Sequence, residues 1–357
     1  MTNQSDSNYR RIPQGTVPVV EVHGTSFECG EQLGLCWRAL LREAYLRPDQ
    51  PEDNRPWFER SDTDQARAID RHAPHFRELY QGMMKGAGIE KSRESTNKPT
   101  GETACSSFAM DSCFTVDGDP LAGQNKDTGW GSVFRYIVLK VCSTDGSGPF
   151  TLTYPLDLVG YGMSATGLCL FRNGMPGEPG PGFSWTHWAL MAKCKQTVKE
   201  AVELFKELQV GSRANVLLAD GSGGMMDIEM GEQGNRFIES TDGLLAHTNH
   251  FVDRPEETST SDEFSLEQQE NSIHRLEVMK KRFVAERGRL TWVSAFHCMS
   301  DHENWPESLC RHHNPTIGGM TTASVVAEPA KGRLHVVRGN PCSNPVVTHS
   351  MPIWMGQ

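Results

Sequence analysis

Long apolar runs are absent from this chain. Nowhere does it offer the roughly 18–20 consecutive apolar residues that a membrane-spanning helix needs, so no span is expected. An excess of positive charge is missing too. With 35 Lys and Arg against 45 Asp and Glu, the formal charge is -10, which leaves no electrostatic footprint for nucleic acid or an anionic membrane surface. The ten cysteines include no CxxC pair, which removes the usual zinc and dithiol signatures. There is no Walker sequence, no dinucleotide GxGxxG, no HExxH, no GxSxG and no EF-hand loop. The first residues, MTNQSDSNYRRIPQG, carry Arg10 and Arg11 with no apolar stretch behind them. That is not a secretory pattern, and a cytoplasmic location with reduced thiols is the expectation.

What is present is a chain of 357 residues, long enough for a large core. VPVVEV (Val17 to Val22) reads as a β-branched strand. Leu33 to Tyr45 and Ala66 to Lys85 read as helices, the second carrying an apolar stripe of Ile69, Phe76, Leu79 and Met83. The turn residues of Arg47 to Trp57 separate them. KSRESTNKPTGE (Lys91 to Glu102) reads as an exposed polar loop where a processing site would be tolerated. From Cys105 the period becomes strand-like. CSSFAM, a DGDP turn at Asp117 to Pro120 and LAGQN suggest a hairpin, followed by strands in Phe134 to Cys142, Phe150 to Gly160 and Gly167 to Asn173. Helices are expected over His187 to Cys194, over Thr197 to Leu208, where Thr197 and Glu200 form a capping-box pattern, and over Ser272 to Val284. Strands are expected at Ala214 to Asp220, Gly223 to Met230 and Gly243 to His250, with a final pair in TTASVVAEP and RLHVVRGN. The acidic stretch Asp253 to Glu270 reads as a solvated loop. Blocks of strands with helices between them indicate an α+β fold. The change of character at Cys105 divides the chain into a mostly helical 1–104 and a mixed 105–357, the first packing on the second.

No cofactor or metal is expected. His297, Cys298, Asp301 and His302 lie close in sequence but match no structural zinc spacing, GSGGM (Gly221 to Met225) reads as a tight turn, and RHHN (Arg311 to Asn314) reads as polar surface. Cys105 has two readings. A lone cysteine in a small-residue strand is ordinarily a buried hydrophobe. Its thiol could instead attack the Ala104 carbonyl in an N-to-S acyl shift, and hydrolysis would leave Cys105 with a free α-amine. The reference pKa of such an amine, about 7.7–8.0, lets nucleophile and base reside on one residue. Asp127, one hairpin away, could orient that amine, and Asn249 could donate to a tetrahedral oxyanion. The plainer alternatives are a turn acid and a strand-end cap.

Several segments together resemble one family. They are VVEVHGTSFECGEQLG (Val19 to Gly34), CSSFAM (Cys105 to Met110), GQNKD (Gly123 to Asp127), GYGMSATGLCLFRN (Gly160 to Asn173), SRANVLLAD (Ser212 to Asp220), HTNHF (His247 to Phe251), SLCRHHN (Ser308 to Asn314), TTASVV (Thr321 to Val326) and RGNPC (Arg338 to Cys342). In order along nearly the whole chain, they resemble the acyl-coenzyme A:6-aminopenicillanic acid acyltransferase-like (isopenicillin N acyltransferase) family of N-terminal nucleophile hydrolases. The resemblance implies an αββα four-layer sandwich, self-cleaved between Ala104 and Cys105 into a small and a large subunit. It implies Cys105 as nucleophile, Asp127 as the acid holding its amine and Asn249 as the oxyanion-hole residue. Two positions depart from the family. Ala104 stands where glycine is common, and its Cβ restricts the backbone that an acyl shift uses. Gln124 stands where related amidases often have arginine, leaving Arg311 and Arg338 as candidates to compensate.

The chemistry expected is amidohydrolysis of a small N-acylated substrate through an acyl-Cys105 intermediate. An amine acceptor in place of water would give acyl transfer, from an amide or a coenzyme A thioester. Net acidity favours the amide over a polyanionic thioester. Two other readings are an internal-cysteine hydrolase with His247, His250 or His297 as base, and a non-catalytic binding protein retaining the fold. The aromatics Trp130, Phe134, Phe183 and Trp185, with the loop Gly174 to Trp185, are either an acyl pocket or core.

Overall fold

A computed structural model describes residues 15–46, 56–90, 104–255, 265–314 and 319–354. Residues 47–55 of the expected turn region Arg47 to Trp57, the polar tract at 91–102 and residues 256–264 of the acidic segment Asp253 to Glu270 lie outside the described residues. In chain order the strands are β1 (Val19–Gly24), β2 (Ala104–Met110), β3 (Leu121–Gly129), β4 (Ile137–Ser143), β5 (Pro149–Thr153), β6 (Tyr161–Ser164), β7 (Cys169–Gly174), β8 (Phe183–Ser184), β9 (Val210–Gly211), β10 (Ala214–Ala219), β11 (Met225–Gly231), β12 (Gly234–Ile238), β13 (Leu244–His247), β14 (Gly319–Glu328), β15 (Arg333–Arg338) and β16 (Val346–Ser350). The helices are α1 (Ser26–Cys36), α2 (Arg38–Tyr45), α3 (Asp64–His72), α4 (His75–Ala87), α5 (Trp185–Ala192), α6 (Val198–Glu207), α7 (Leu266–Ala285) and α8 (Trp292–Met299).

Two large sheets organise these elements. An eight-stranded sheet runs β1-β4-β5-β6-β7-β10-β11-β12, and a six-stranded sheet runs β13-β2-β3-β14-β15-β16. Apart from the parallel β1–β4 pair, every ladder in the two sheets is antiparallel. Strand alternation then sorts the side chains into three apolar layers. Ile137, Leu139 and Val141 of β4 and Val216 and Leu218 of β10 pack with residues of α1 to α6. Val138, Phe171 and Leu217 from the first sheet meet Ala109, Ala323, Val325 and Val336 from the second. Phe108, Met110 and Val326 turn the other way, onto Met279 and Phe283 of α7 and Phe296 and Met299 of α8. Helix, sheet, sheet, helix is the αββα sandwich that the resemblance implied.

The described residues before Cys105 belong to this body. β1 forms an edge of the eight-stranded sheet against β4, and α1 and α4 lie in its helical layer. Several elements differ from the sequence expectations. α1 starts at Ser26, well before Leu33, because Thr25 and Glu28 close a capping box. The single helix expected over Ala66 to Lys85 is two, interrupted at Ala73 and Pro74. α7 starts at Leu266 on a Ser265–Gln268 capping box, so the acidic segment ends inside a helix. β6, β8, β9, β12, α8 and β16 have no counterpart among the sequence expectations. The Thr197–Glu200 capping box is present at the start of α6.

α1 and α4 touch backbone to backbone. A Cβ on Gly30 would meet the Leu79 carbonyl, and one on Gly82 would meet the Phe27 carbonyl. Gly34 and Gly86 repeat the pattern one turn on, against the Met83 and Glu31 carbonyls. Replacing Gly82 with alanine therefore forces the helices apart. We expect a loss of about 1–3 kcal/mol in urea unfolding, and an unchanged midpoint would show that the pair has room to give.

Candidate active site

β2 and β3 are central neighbours in the six-stranded sheet, and their register places the chemistry. Ala104 lies opposite Asp127, and Cys105 opposite Lys126. Because successive side chains alternate, Cys105, Ser107, Gln124 and Lys126 face the gap between the sheets, whereas Ser106, Asn125 and Asp127 face the α7–α8 layer. Cys105 is fully buried. The Lys126 ammonium donates to its Sγ at 3.0 Å and stands over the ring of Tyr161, 4.5 Å from the centroid. Burial works against the charge on Lys126, but the adjoining sulfur and the Tyr161 phenol outweigh it and hold its pKa above the ordinary lysine value. The sulfur thus has a cation beside it.

The backbone of Cys105 is held from the opposite side. Its N–H donates to Asn249 Oδ1 at 2.9 Å. Its carbonyl accepts from Nη1 of Arg275 at 2.8 Å, and the same nitrogen reaches Ser106 Oγ at 2.8 Å. Arg275 Nη2 donates to Asn249 Oδ1 at 2.9 Å, and Nε to Asn271 Oδ1 at 2.9 Å. Two donors on Oδ1 settle which way the Asn249 amide points. Its Nδ2 then donates to the Gly174 carbonyl at 3.0 Å. Burial, with Arg311 nearby, draws the Arg275 guanidinium down to about 10, so it remains charged at neutral pH.

Asp127 sits beside Ala104 on the helix face. Its Oδ1 accepts from Thr321 Oγ1 at 2.7 Å, while Oδ2 is buried without a hydrogen-bond partner. Burial pushes the carboxyl up, against the opposing pull of Arg311, Arg275 and the Thr321 hydroxyl. Gln124 donates to the Arg172 carbonyl at 2.6 Å and to Asn173 Oδ1 at 2.9 Å, so it lies between the sheets and supplies no charge. Of the two arginines expected to compensate, Arg311 is in the field of Asp127, whereas Arg338 binds the Val133 carbonyl and stacks over Phe134. Arg275, which is in direct contact with Cys105, has no local sequence signal. It lies inside an amphipathic helix 170 residues away.

Two of the histidines considered as bases, His247 and His250, have other partners. His247 faces Glu229 Oε1 through Nε2 at 2.8 Å and the Thr248 carbonyl through Nδ1 at 2.9 Å. His250 faces Ser272 Oγ at 2.8 Å, and His297 is exposed on α8. Nor do the aromatics form one pocket. Trp130 and Phe134 make an edge contact after β3, whereas Phe183 and Trp185 pack with the helical layer of the other sheet. A cleft of about 360 Å³ among Tyr45, Trp57, Tyr80, Leu156 and His187 also opens on that layer, away from the inter-sheet gap into which Cys105 projects.

The four-layer sandwich holds Cys105 near the head of an inner strand, contacted at its nitrogen, carbonyl and sulfur. The chain belongs to the acyl-coenzyme A:6-aminopenicillanic acid acyl-transferase family, whose model matches residues 117–343. That span contains Asp127 and Asn249 and begins after Cys105. Among solved structures the chain is similar to a mutant of conjugated bile acid hydrolase from Clostridium perfringens, at 10% identity and TM-score 0.42, covering 69% of this chain and 96% of that one. It is also similar to penicillin V acylase from Agrobacterium tumefaciens, at 13% identity and TM-score 0.38, covering 72% and 81%. No curated protein matches the sequence.

The His247–Glu229 pair is almost wholly buried. Burial opposes the charge on His247, but Asp227 and Glu229 outweigh it and raise its pKa, and His247 in turn lowers that of Glu229. A raised histidine contributes stability that is complete below its unfolded value of about 6.5 and is lost as pH rises through the folded value. A lowered glutamate contributes above its unfolded value of about 4.3 and loses that contribution as pH falls through the folded one. The stability lost in His247→Asn should therefore be largest between about pH 4.3 and 6.5, about 3–5 kcal/mol for breaking a buried pair, and smaller on the alkaline side. A pH-independent difference in urea unfolding would contradict this.

Proposed function

We propose that the protein is an autoprocessing cysteine amidohydrolase that cleaves an N-acyl amide bond through an acyl-Cys105 intermediate. The observation that carries this reading is the cradle of Lys126, Asn249 and Arg275 around a buried Cys105. A merely apolar cysteine requires no cation at its sulfur and no guanidinium at its carbonyl.

In the first reaction Sγ bonds to the Ala104 carbonyl carbon, the Ala104–Cys105 C–N bond breaks, and the thiol proton passes to the departing nitrogen. Water then hydrolyses the thioester. Ala104 ends as a carboxylate, and Cys105 begins the large subunit with a free amine. Residues 1–104, which include β1 and α1 to α4, remain bound as the small subunit through their place in the sheet and the helical layer. The new ammonium needs an anion, and the unpartnered Oδ2 of Asp127, opposite Ala104 in the ladder, is the group we assign to it.

During turnover the sulfur attacks the substrate acyl carbon and the Cys105 amine relays the proton to the leaving amine. Water then releases the acid. For Asn249 to donate to the oxyanion, its Nδ2 exchanges the Gly174 carbonyl for the substrate oxygen, while Arg275 keeps Oδ1 fixed. Lys126 offsets the charge on sulfur. The family's description as an acyl-transferase supports a second outcome. An amine admitted in place of water would accept the acyl group from the same thioester. The small N-acylated substrate and any amine acceptor bind without a cofactor in this scheme.

A panel of N-acyl amino acids and N-acyl amines, assayed with and without added amine, tests the reading. We expect an acyl adduct on Cys105 in acid-quenched samples, no turnover in Cys105→Ala, and a kcat about 10²–10³-fold lower in Asn249→Ala with KM little changed. Turnover that persists in Cys105→Ala would overturn the proposal.

A further inference from the structure

Beside the start of β14, three side chains from the connection after α8 converge with one from the turn after β15. His302 follows α8, Cys310 and His312 lie further along the same connection, and Cys342 sits in the turn after β15. One ligand atom from each falls within 4.8 Å of all the others. The two imidazole Nε2 atoms are 3.1 Å apart, and His312 Nε2 is 3.2 Å from Cys342 Sγ and 3.9 Å from Cys310 Sγ. The two sulfurs are separated by 3.7 Å.

We propose that His302, Cys310, His312 and Cys342 bind one zinc ion. Tetrahedral zinc with bonds of about 2.3 Å to sulfur and about 2.0–2.1 Å to nitrogen sets S···S near ~3.8 Å, N···N near ~3.3 Å and N···S near ~3.6 Å. The observed 3.7 Å between the sulfurs and 3.1 Å between the nitrogens lie just below the first two values, and 3.2 and 3.9 Å fall on either side of the third. A disulfide does not account for the cluster. Its sulfurs would lie about 2.05 Å apart, and it would not account for His312 Nε2 standing 3.2 Å from Cys342 Sγ and 3.1 Å from His302 Nε2. Thiolate and imidazole together favour zinc over the hard, oxygen-seeking cations. As the ion binds, both thiols release their protons, so two thiolates, two neutral imidazoles and Zn²⁺ sum to zero charge.

The surroundings fit a structural site. Cys310 and His312 are buried while His302 and Cys342 are exposed, which gives the ion a route in. Asn340 Nδ2 donates to Cys310 Sγ at 3.4 Å, the kind of outer hydrogen bond that orients a ligating thiolate. The Trp305 ring packs on both His302 and His312. Four protein ligands close a tetrahedral sphere, so no position remains for water or substrate.

The ion would act on the candidate active site through the backbone. Arg311 lies between two ligands, and its N–H and carbonyl bind Thr321 Oγ1 and the Thr321 N–H at 2.9 and 2.8 Å. Thr321 in turn donates to Asp127. Zinc would thus fasten the connection after α8 to the turn after β15 and keep Arg311 and Thr321 against Asp127. The sequence expectation of no metal rests on local spacing, which cannot register ligands from two segments of the fold.

The test uses the full chain purified without chelator, and elemental analysis should find about one zinc per chain. Cobalt exchanged into the site should show thiolate-to-metal charge transfer and the intense visible bands of tetrahedral coordination. Cys342→Ser and His302→Ala, at the exposed ligands, should weaken zinc binding by at least about tenfold, while Cys36→Ser should not. Chelation should lower the thermal midpoint of the wild type and leave that of Cys342→Ser unmoved. Cys105→Ala should bind zinc as the wild type does, which separates this proposal from the catalytic one. Absence of stoichiometric zinc, a cobalt spectrum without thiolate bands, or a Cys310–Cys342 disulfide in non-reduced peptides would each overturn it.

Discussion

The antiparallel pairing of β2 with β3 is the constraint on which the candidate site depends. Sheet alternation sends each residue of the pair to one of two faces, and the register decides which side chains meet. With Cys105 opposite Lys126, a thiol and an ammonium share the gap between the sheets. With Ala104 opposite Asp127, an acid lies beside the Ala104–Cys105 peptide bond, at which cleavage is proposed, but on the other face. A slip of one residue would send Lys126 to the helices and bring Asp127 to the sulfur. The tight inner faces of the sandwich, where Ala109, Ala122 and Ala323 meet the larger residues of the other sheet, hold that register in place.

The two helical layers contribute unequally to the site. The α7–α8 layer delivers Arg275 and, through the connection after α8, Arg311. These two guanidinium groups surround a buried carboxyl and a buried backbone carbonyl. The opposite layer, with the closely packed α1 and α4, contributes bulk and anchors the segment ahead of Cys105 by way of β1. Cleavage before Cys105 would therefore cut a chain whose two parts already share one core. A small subunit released in that way would have apolar surface to keep it attached without a covalent link.

The αββα plan, the hairpin at Cys105 and most of the strands are legible in the sequence because they rest on local signals: alternation, turn residues and, through the family resemblance, short motifs in order. The breaks at Thr25 and at Ala73–Pro74 are equally local, but the longer apolar periods around them mask them. Lys126 stands next to Asp127 in the sequence, yet its partnership with Cys105 depends on a register that the ten-residue connection between β2 and β3 leaves open. Arg275 has no local signal, and the cluster of His302, Cys310 and His312 is completed only by Cys342 from another connection. Their roles arise only when distant segments pack. The orientation of Asn249 belongs to the same class, since its Oδ1 is fixed by Cys105 and Arg275 together.

The proposed chemistry requires Cys105 to be the first residue of the mature catalytic chain. Intact-mass measurement of the purified protein, with N-terminal sequencing, tests it most directly. Cleavage at Ala104–Cys105 gives chains of 104 and 253 residues from the 357, the longer one beginning Cys-Ser-Ser-Phe, while Cys105→Ala stays whole. A wild-type protein that hydrolyses N-acyl substrates as a single uncut chain would contradict the account.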